Sequence, residues 1–366
     1  MQNPGKLLAA LTILIVILLI ALHFLNPSPP ENSPVPISIA PTNRFNPPQF
    51  VFHPQKIVPK EQPELDAAGQ PKISQEKVEE WLAKYNRNAM SLLAVFRALK
   101  DTNYLNEAAT NFPNNPQVEL AVLAYDEFPQ DRRKWLDLFK ASSPSNSLAN
   151  YLSSQEYFKN GNSDAAVQEL LAASGKSQFD SFETASRLDE EDLYLSSGRS
   201  PLEASKESLN GISADVLPEL ATLKQLSNGM RDLEKQKLSS GDTDSAVSLV
   251  QMGMNLGDQL NSGDSGKYII NQLVSMAIEA NSLSQLDQNT SYDFLNSETP
   301  SQVLQELKDQ KTALRNLNQN FQAAYPSLTP DEMTSYIERS KIYGEIAAAQ
   351  WVIQQHPPNT SQNSQQ

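Results

Sequence analysis

The stretch from Leu7 to Leu25 reads LLAALTILIVILLIALHFL, with no charged residue, proline or glycine. As an α-helix it spans about 28 Å, close to the ~30 Å hydrocarbon core of a bilayer. In lipid every backbone polar group has to be satisfied within its own segment, and a helix does this. Leu7, Leu11, Ile15, Leu18, Leu22 and Leu25 mark the expected membrane anchor. Residues 1–6 form a short cytoplasmic start, with Lys6 and the amino terminus as the only charges before the run. After it no cation appears until Arg44. This asymmetry predicts a single-pass membrane protein with its N-terminus inside and its main domain extracytoplasmic. A cleaved leader fits less well: the run is long for one, and Leu22-His23-Phe24-Leu25-Asn26-Pro27 offers no small-x-small site.

Residues 26–71 form a proline-rich linker. Proline fixes φ and removes backbone donors, so neither a helix nor a central strand is expected there. At ~3.1 Å per residue the linker reaches on the order of 100 Å from the bilayer. Phe45, Phe50, Val51, Phe52, Ile57 and Val58 are too apolar for a pure spacer. The expectation is that they dock on the protein's own helical surface; a short linear motif for a partner is the alternative.

Composition narrows the functional classes. A net charge of −14 argues against nucleic acid, whose binding rests on Lys and Arg neutralising phosphates, and against a further contact with anionic lipid. Zero cysteine excludes disulfides, thiolate zinc and a cysteine nucleophile. The three histidines are His23, His53 and His356, so the segment 65–355 contains none. Ser–His catalysis and His-ligated metals are therefore excluded from it, and no catalytic residue, cofactor or metal is expected.

Beyond Pro71 the apolar pattern is helical, with no good strand alternation. The fold expected is all-α. Gln75–Lys100 reads as one helix, with Val78, Trp81, Leu82, Tyr85, Leu92, Val95, Phe96 and Leu99 on its apolar side. Shorter helices follow at about 103–112, 115–127, 130–142, 146–160 and 163–174. Three later starts share one form: Ser200-Pro201-Leu202-Glu203, Thr299-Pro300-Ser301-Gln302 and Thr329-Pro330-Asp331-Glu332. Each places a hydroxyl at the cap, proline at the first helical position and an acid or amide two beyond it, so that orphan N–H groups are satisfied reciprocally. Gly198 and Gly211 are expected to close helices at about 181–197 and 201–210. Helices of this length joined by short turns form antiparallel hairpins, which bury their apolar faces by stacking.

Within this body, Leu148 to Ala173 resembles a tetratricopeptide unit, a 34-residue helix-turn-helix repeat. Tyr157 takes the pattern's tyrosine, Gly161 the inter-helix turn, Ala166 the close helix contact, Leu170 the large apolar place and Ala173 the next small one. Gly241, Ala246, Val250 and Gly253 keep the same intervals. The pattern is departed from at Asn150, Ser153 and Ser154, where tryptophan, leucine and glycine belong. The resemblance implies stacked, tetratricopeptide-like hairpins over 72–198 and a partner-binding role. Residues 199–355 form a C-terminal helical region. It closes on a long hairpin between Gln302–Ala324 and Thr329–Gln355, with Ile342 on the second stripe and Gly344, Ala347 and Ala348 allowing close packing. Self-association through this hairpin is an alternative to intramolecular pairing. Residues 356–366 form a polar tail.

The densest acidic run, Asp189-Glu190-Glu191-Asp192, reads as a solvated helix face. Taken together these features predict a membrane-anchored, non-catalytic scaffold that binds a protein or peptide outside the cytoplasm. The alternatives are a carboxylate-dependent enzyme acting on cell-envelope polymer, and a self-associating structural component.

Overall fold

The computed structural model describes residues 73–215 and 217–357. The anchor positions Leu7, Leu11, Ile15, Leu18, Leu22 and Leu25, the linker and the tail from residue 358 lie outside them. Among the described residues no helix is long and apolar enough to cross a membrane, and no strand forms. Only Asn146 and Gln178 make an isolated parallel bridge.

The described chain is all-α. Its helices are α1 (Gln75–Lys84), α2 (Ala89–Leu99), α3 (Thr102–Asn111), α4 (Pro116–Tyr125), α5 (Arg132–Ser142), α6 (Leu148–Lys159) and α7 (Ser163–Ser174). There follow α8 (Glu183–Ser196), α9 (Pro201–Asp215), α10 (Leu217–Ser239), α11 (Thr243–Leu260) and α12 (Ile269–Leu283). The C-terminal helices are α13 (Pro300–Ala324), α14 (Pro330–Tyr343) and α15 (Glu345–Gln355).

Capping chemistry explains most of the starts. Thr299 and Thr329 each accept from the N–H three residues on, and Gln302 and Glu332 accept from the cap N–H in return. Ser200 and Glu203 exchange the same pair of bonds, at 3.3 and 3.0 Å. Gly198, at φ +98°, closes α8 as expected.

Three boundaries differ from the sequence expectation. The span 75–100 is two helices, because Asn86 and Arg87 take left-handed backbone and Asn88 caps α2 by accepting from Ser91 N–H at 2.8 Å. Helix α9 runs through Gly211 to Asp215, so that glycine ends nothing. The span 329–355 breaks at Gly344, whose φ of +91° is open to glycine and strained for any other residue. A Cβ there would also meet the Lys267 carbonyl oxygen at 3.0 Å. Ile342, expected on the apolar stripe, is 58 % exposed, five residues after the buried Ile337, and Ala347, expected at a close contact, is exposed as well.

Neighbouring helices pair as hairpins: α2 with α3, α4 with α5, α6 with α7, α8 with α9, α10 with α11, and α14 with α15. The 23-residue α10 acts as a spine, touching α4, α6, α9, α11 and α12. Hairpin α6–α7 stacks directly on α10–α11, while α8–α9 turns back onto α1, α2 and α14. One apolar core runs from Val78 to Ile278. A second cluster joins Val250, Leu283, Leu286 and Leu295, and a third joins Phe321 and Ala324 of α13 to Ala349 and Val352 of α15. The long C-terminal helix thus pairs with α15 of its own chain.

Candidate functional site

Hairpins α6–α7 and α10–α11 are built on one turn. Gly161 and Gly241 sit at φ +74° and +81°. Asn162 N–H donates to Tyr157 C=O, and Asp242 N–H to Lys237 C=O, both at 2.9 Å. The same two residues then cap the following helix by accepting from Ala165 and Ser245 N–H. Four residues on, Ala166 and Ala246 are fully buried, as are Leu170, Val250 and Ala173. Gly253 lies where α12 crosses α11, and a Cβ there would run into the Ser282 side chain. Tyr157 is half-buried, with the Arg133 guanidinium 4.9 Å from its ring centroid. The buried alanines, Leu170 and Val250 thus lie inside their packing layers, whereas Tyr157 faces α5, Gly253 faces α12 and the two turn glycines stand at open ends.

The positions that depart from the tetratricopeptide pattern make polar contacts of their own. Asn150 Nδ2 and Ser153 Oγ donate to the two oxygens of Glu169, at 2.6 and 2.8 Å, and Lys140 Nζ reaches the same carboxylate at 2.7 Å. Ser154 Oγ donates to the Ala166 carbonyl at 2.9 Å, inside the hairpin. A carboxylate so nearly covered has to be paired, and Asn150 and Ser153 supply donors to it where apolar side chains would supply none.

The acidic run on α8 corrects the expectation of a solvated face. Successive helical residues point in different directions, so four adjacent carboxylates reach different neighbours. Asp192 accepts from Trp81 Nε1 at 2.8 Å and from Tyr85 Oη at 2.6 Å, joining α8 to α1. Burial opposes its ionisation, but those two bonds and Lys84 outweigh it and hold the carboxyl below its ordinary range. Glu190 is fully buried and faces the Arg97 guanidinium of α2 at 4.0 Å. Glu191 pairs with Lys341 of α14 at 2.7 Å and accepts from Ser205 of α9. Asp189 is pushed up by burial, with Arg97 offsetting part of the rise.

Towards the start of α8, Arg187 lies 4.8 Å from the Tyr268 ring centroid, and Thr184 Oγ1 is 3.2 Å from the Tyr268 hydroxyl. Glu345, the first residue of α15, accepts from Ile269 N–H at 2.8 Å and so caps α12. Burial pushes the Glu183 carboxyl up to about 8; Arg187 and Asn271 offset part of this and Glu345 adds to it. Helix α8 is thereby tied to α1, α2, α9 and α14, and through Tyr268 to the start of α12.

Beside it lies a cleft between α2, α4 and the start of α8, lined by Arg97, Gln117, Tyr125, Phe182, Glu183 and Glu190, among others. Its volume is about 40 Å³, room for a few water-sized groups. Glu183 and Glu190 stand seven residues apart on one helix, about 10 Å along its axis. They share a face and do not oppose each other across a gap that a sugar ring could enter.

No protein-family model, no curated protein and no solved structure matches this chain. Among the described residues no group of three or more His, Cys, Asp or Glu is arranged to hold a metal ion. The hub on α8 escaped sequence reasoning because its partners are distant in the chain; the single available signal was four acids on a helix that also carries Leu193 and Tyr194.

Proposed function

We propose that this chain is a membrane-anchored, non-catalytic helical scaffold, displayed outside the cytoplasm, that holds a protein or peptide partner. The observation that carries the reading is the stacking of two hairpins built on the same glycine turn. Stacked α-hairpins present extended surfaces well suited to holding other chains. The apolar run and the proline-rich linker supply an anchor and a spacer for such a body. The end of the C-terminal stripe, Phe321 and Ala324, packs on α15 of the same chain, which favours this reading over self-association. Glu183 and Glu190 share one face of α8 beside the cleft, which favours this reading over an enzyme that needs two facing carboxylates.

The test is cross-linking in intact cells, followed by identification of what is captured. Deleting residues 26–71 is expected to abolish capture while leaving the thermal unfolding of the helical body unchanged. Undiminished capture by the deletion variant would overturn the proposal. Release of the protein from membranes by alkali, or a C-terminal reporter found in the cytoplasm, would overturn the anchoring.

A further inference from the structure

Arg187 attracts both Glu183 and Glu345, so one guanidinium serves two carboxylates. Glu345 also accepts from Ile269 N–H at 2.8 Å. Glu183 is 6 % exposed, and among the described residues neither of its oxygens has a hydrogen-bond partner. Asn271 stands near it but donates its amide to the Ser265 carbonyl at 3.0 Å. A carboxylate so deeply buried is costly unless donors meet it. Glu183 lines the cleft between α2, α4 and the start of α8. Gln117 of α4 lines it too, and its buried Oε1 likewise has no donor among the described residues.

We propose that this cleft binds a primary ammonium group. Such a group carries three N–H donors on one centre, and the open acceptors are Glu183 Oε1, Glu183 Oε2 and Gln117 Oε1. Its charge supplies the counter-ion that Arg187 has to divide. A divalent metal fits worse: it takes about six oxygens or more, several of them from carboxylates. Among the described residues no group of three or more His, Cys, Asp or Glu is arranged to hold one.

Size and lining agree with an alkylammonium. At roughly 10–15 Å³ for each water-sized group, the 40 Å³ of the cleft takes the ammonium and two methylenes behind it. Glu183, Ser186 and Glu190 recur at helical spacing and make a polar wall on α8, whereas Leu120, Ala121 and Ala124 make an apolar wall on α4. The charge of Arg97 is answered by Glu190 at 4.0 Å and by Asp189, but its Nη1 has no acceptor among the described residues. A lysine within a peptide brings an ammonium and carbonyl oxygens together, and a free alkylamine brings the ammonium alone. The lining therefore favours the side chain of a lysine. That occupant would belong to the partner of the scaffold reading, and binding of an isolated lysine residue needs no partner, so either can fail without the other.

The probe is N-acetyl-lysine N-methylamide, titrated into the full chain in nanodiscs of zwitterionic lipid and followed by saturation-transfer NMR, with empty nanodiscs as the blank. Saturable binding is expected, at least about tenfold tighter than for the norleucine analogue, which lacks the ammonium, and the trimethyl-lysine analogue, which has charge but no N–H donor. n-Butylammonium should bind about threefold more weakly than the lysine probe, for want of a carbonyl. The reverse order would keep the ammonium site and assign it to a free amine. Glu183→Gln keeps the shape of the side chain and should weaken binding at least about tenfold, and Gln117→Leu about threefold. Glu306→Gln, at an exposed position of α13, should change nothing. Urea midpoints report that each variant is folded. Equal binding of the lysine probe and either analogue would overturn the proposal, as would an unchanged affinity in folded Glu183→Gln. So would displacement of the probe by an equal concentration of KCl, which would assign the cleft to an inorganic cation.

Discussion

Hairpins α6–α7 and α10–α11 bury small and branched apolar side chains behind their turns; around α8, contacts between helices run through charge. Ala166, Leu170, Ala246 and Val250 are all fully buried, and what they require of their neighbours is volume. Around α8 the requirements are protonation state and partner. Asp192, Glu190, Glu191 and Arg187 each satisfy a different helix. Those apolar positions should therefore be sensitive to atoms removed or added, and the ties of α8 to pH and to loss of one member of a pair.

The sharpest test of that contrast is Leu170→Ala. Emptying a fully buried leucine site costs about 3 kcal/mol, read from the urea midpoint, whereas Leu188→Ala on the exposed face of α8 should stay within about 0.5 kcal/mol. Next, Asp192→Ala leaves the indole N–H of Trp81, itself 3 % exposed, without its acceptor. A loss of about 2 kcal/mol is expected, with the denaturant slope unchanged.

Glu183 gives the pH signature. Its folded pKa, about 8, lies above that of an unfolded glutamate, so folding takes up a proton. The stability it contributes is present below pH 4.5 and is lost as pH rises through 8. Over that window the Glu183→Gln variant should lose the Glu183 share of the slope, up to about 1.4 kcal/mol per pH unit, when urea midpoints are compared from pH 5 to 9. Parallel curves for the two proteins would remove Glu183 from the hub. The smallest effect belongs to the paired turns. Neither Gly161 nor Gly241 has a neighbour within 4 Å of a built Cβ, so alanine there meets backbone strain alone. Gly161→Ala and Gly241→Ala should each cost about 1 kcal/mol. Clearly unequal costs would break the equivalence of the two hairpins.

What was legible in the sequence follows the same division. Thr299-Pro300 and Thr329-Pro330 fix helix starts through bonds within four residues, and these starts were readable from the residues alone. The glycine turn at 161 and its small-residue follower at 166 are equally local. The break at Asn86–Asn88 was misread because the apolar stripe continues across it, although Asn88 carries the N-cap signal. Gly344 does pack closely, as expected, but against Lys267 from 77 positions away, and the helix break it makes there has no local signal. The acidic run gave the wrong expectation for the same reason. Trp81 lies 111 residues from Asp192, and Lys341 lies 150 from Glu191. Periodicity registers the charge of such residues but not where their partners return in space.

The ties made by α8 bear on how this chain comes apart. In a simple array each repeat touches only its neighbours, so the ends fray first and units melt singly. Here the first described helix and the last but one both grip the same central rod, through Asp192 and through Glu191. Loosening either end therefore exposes carboxylates in the middle, so the body should melt as one cooperative block and resist being shortened repeat by repeat.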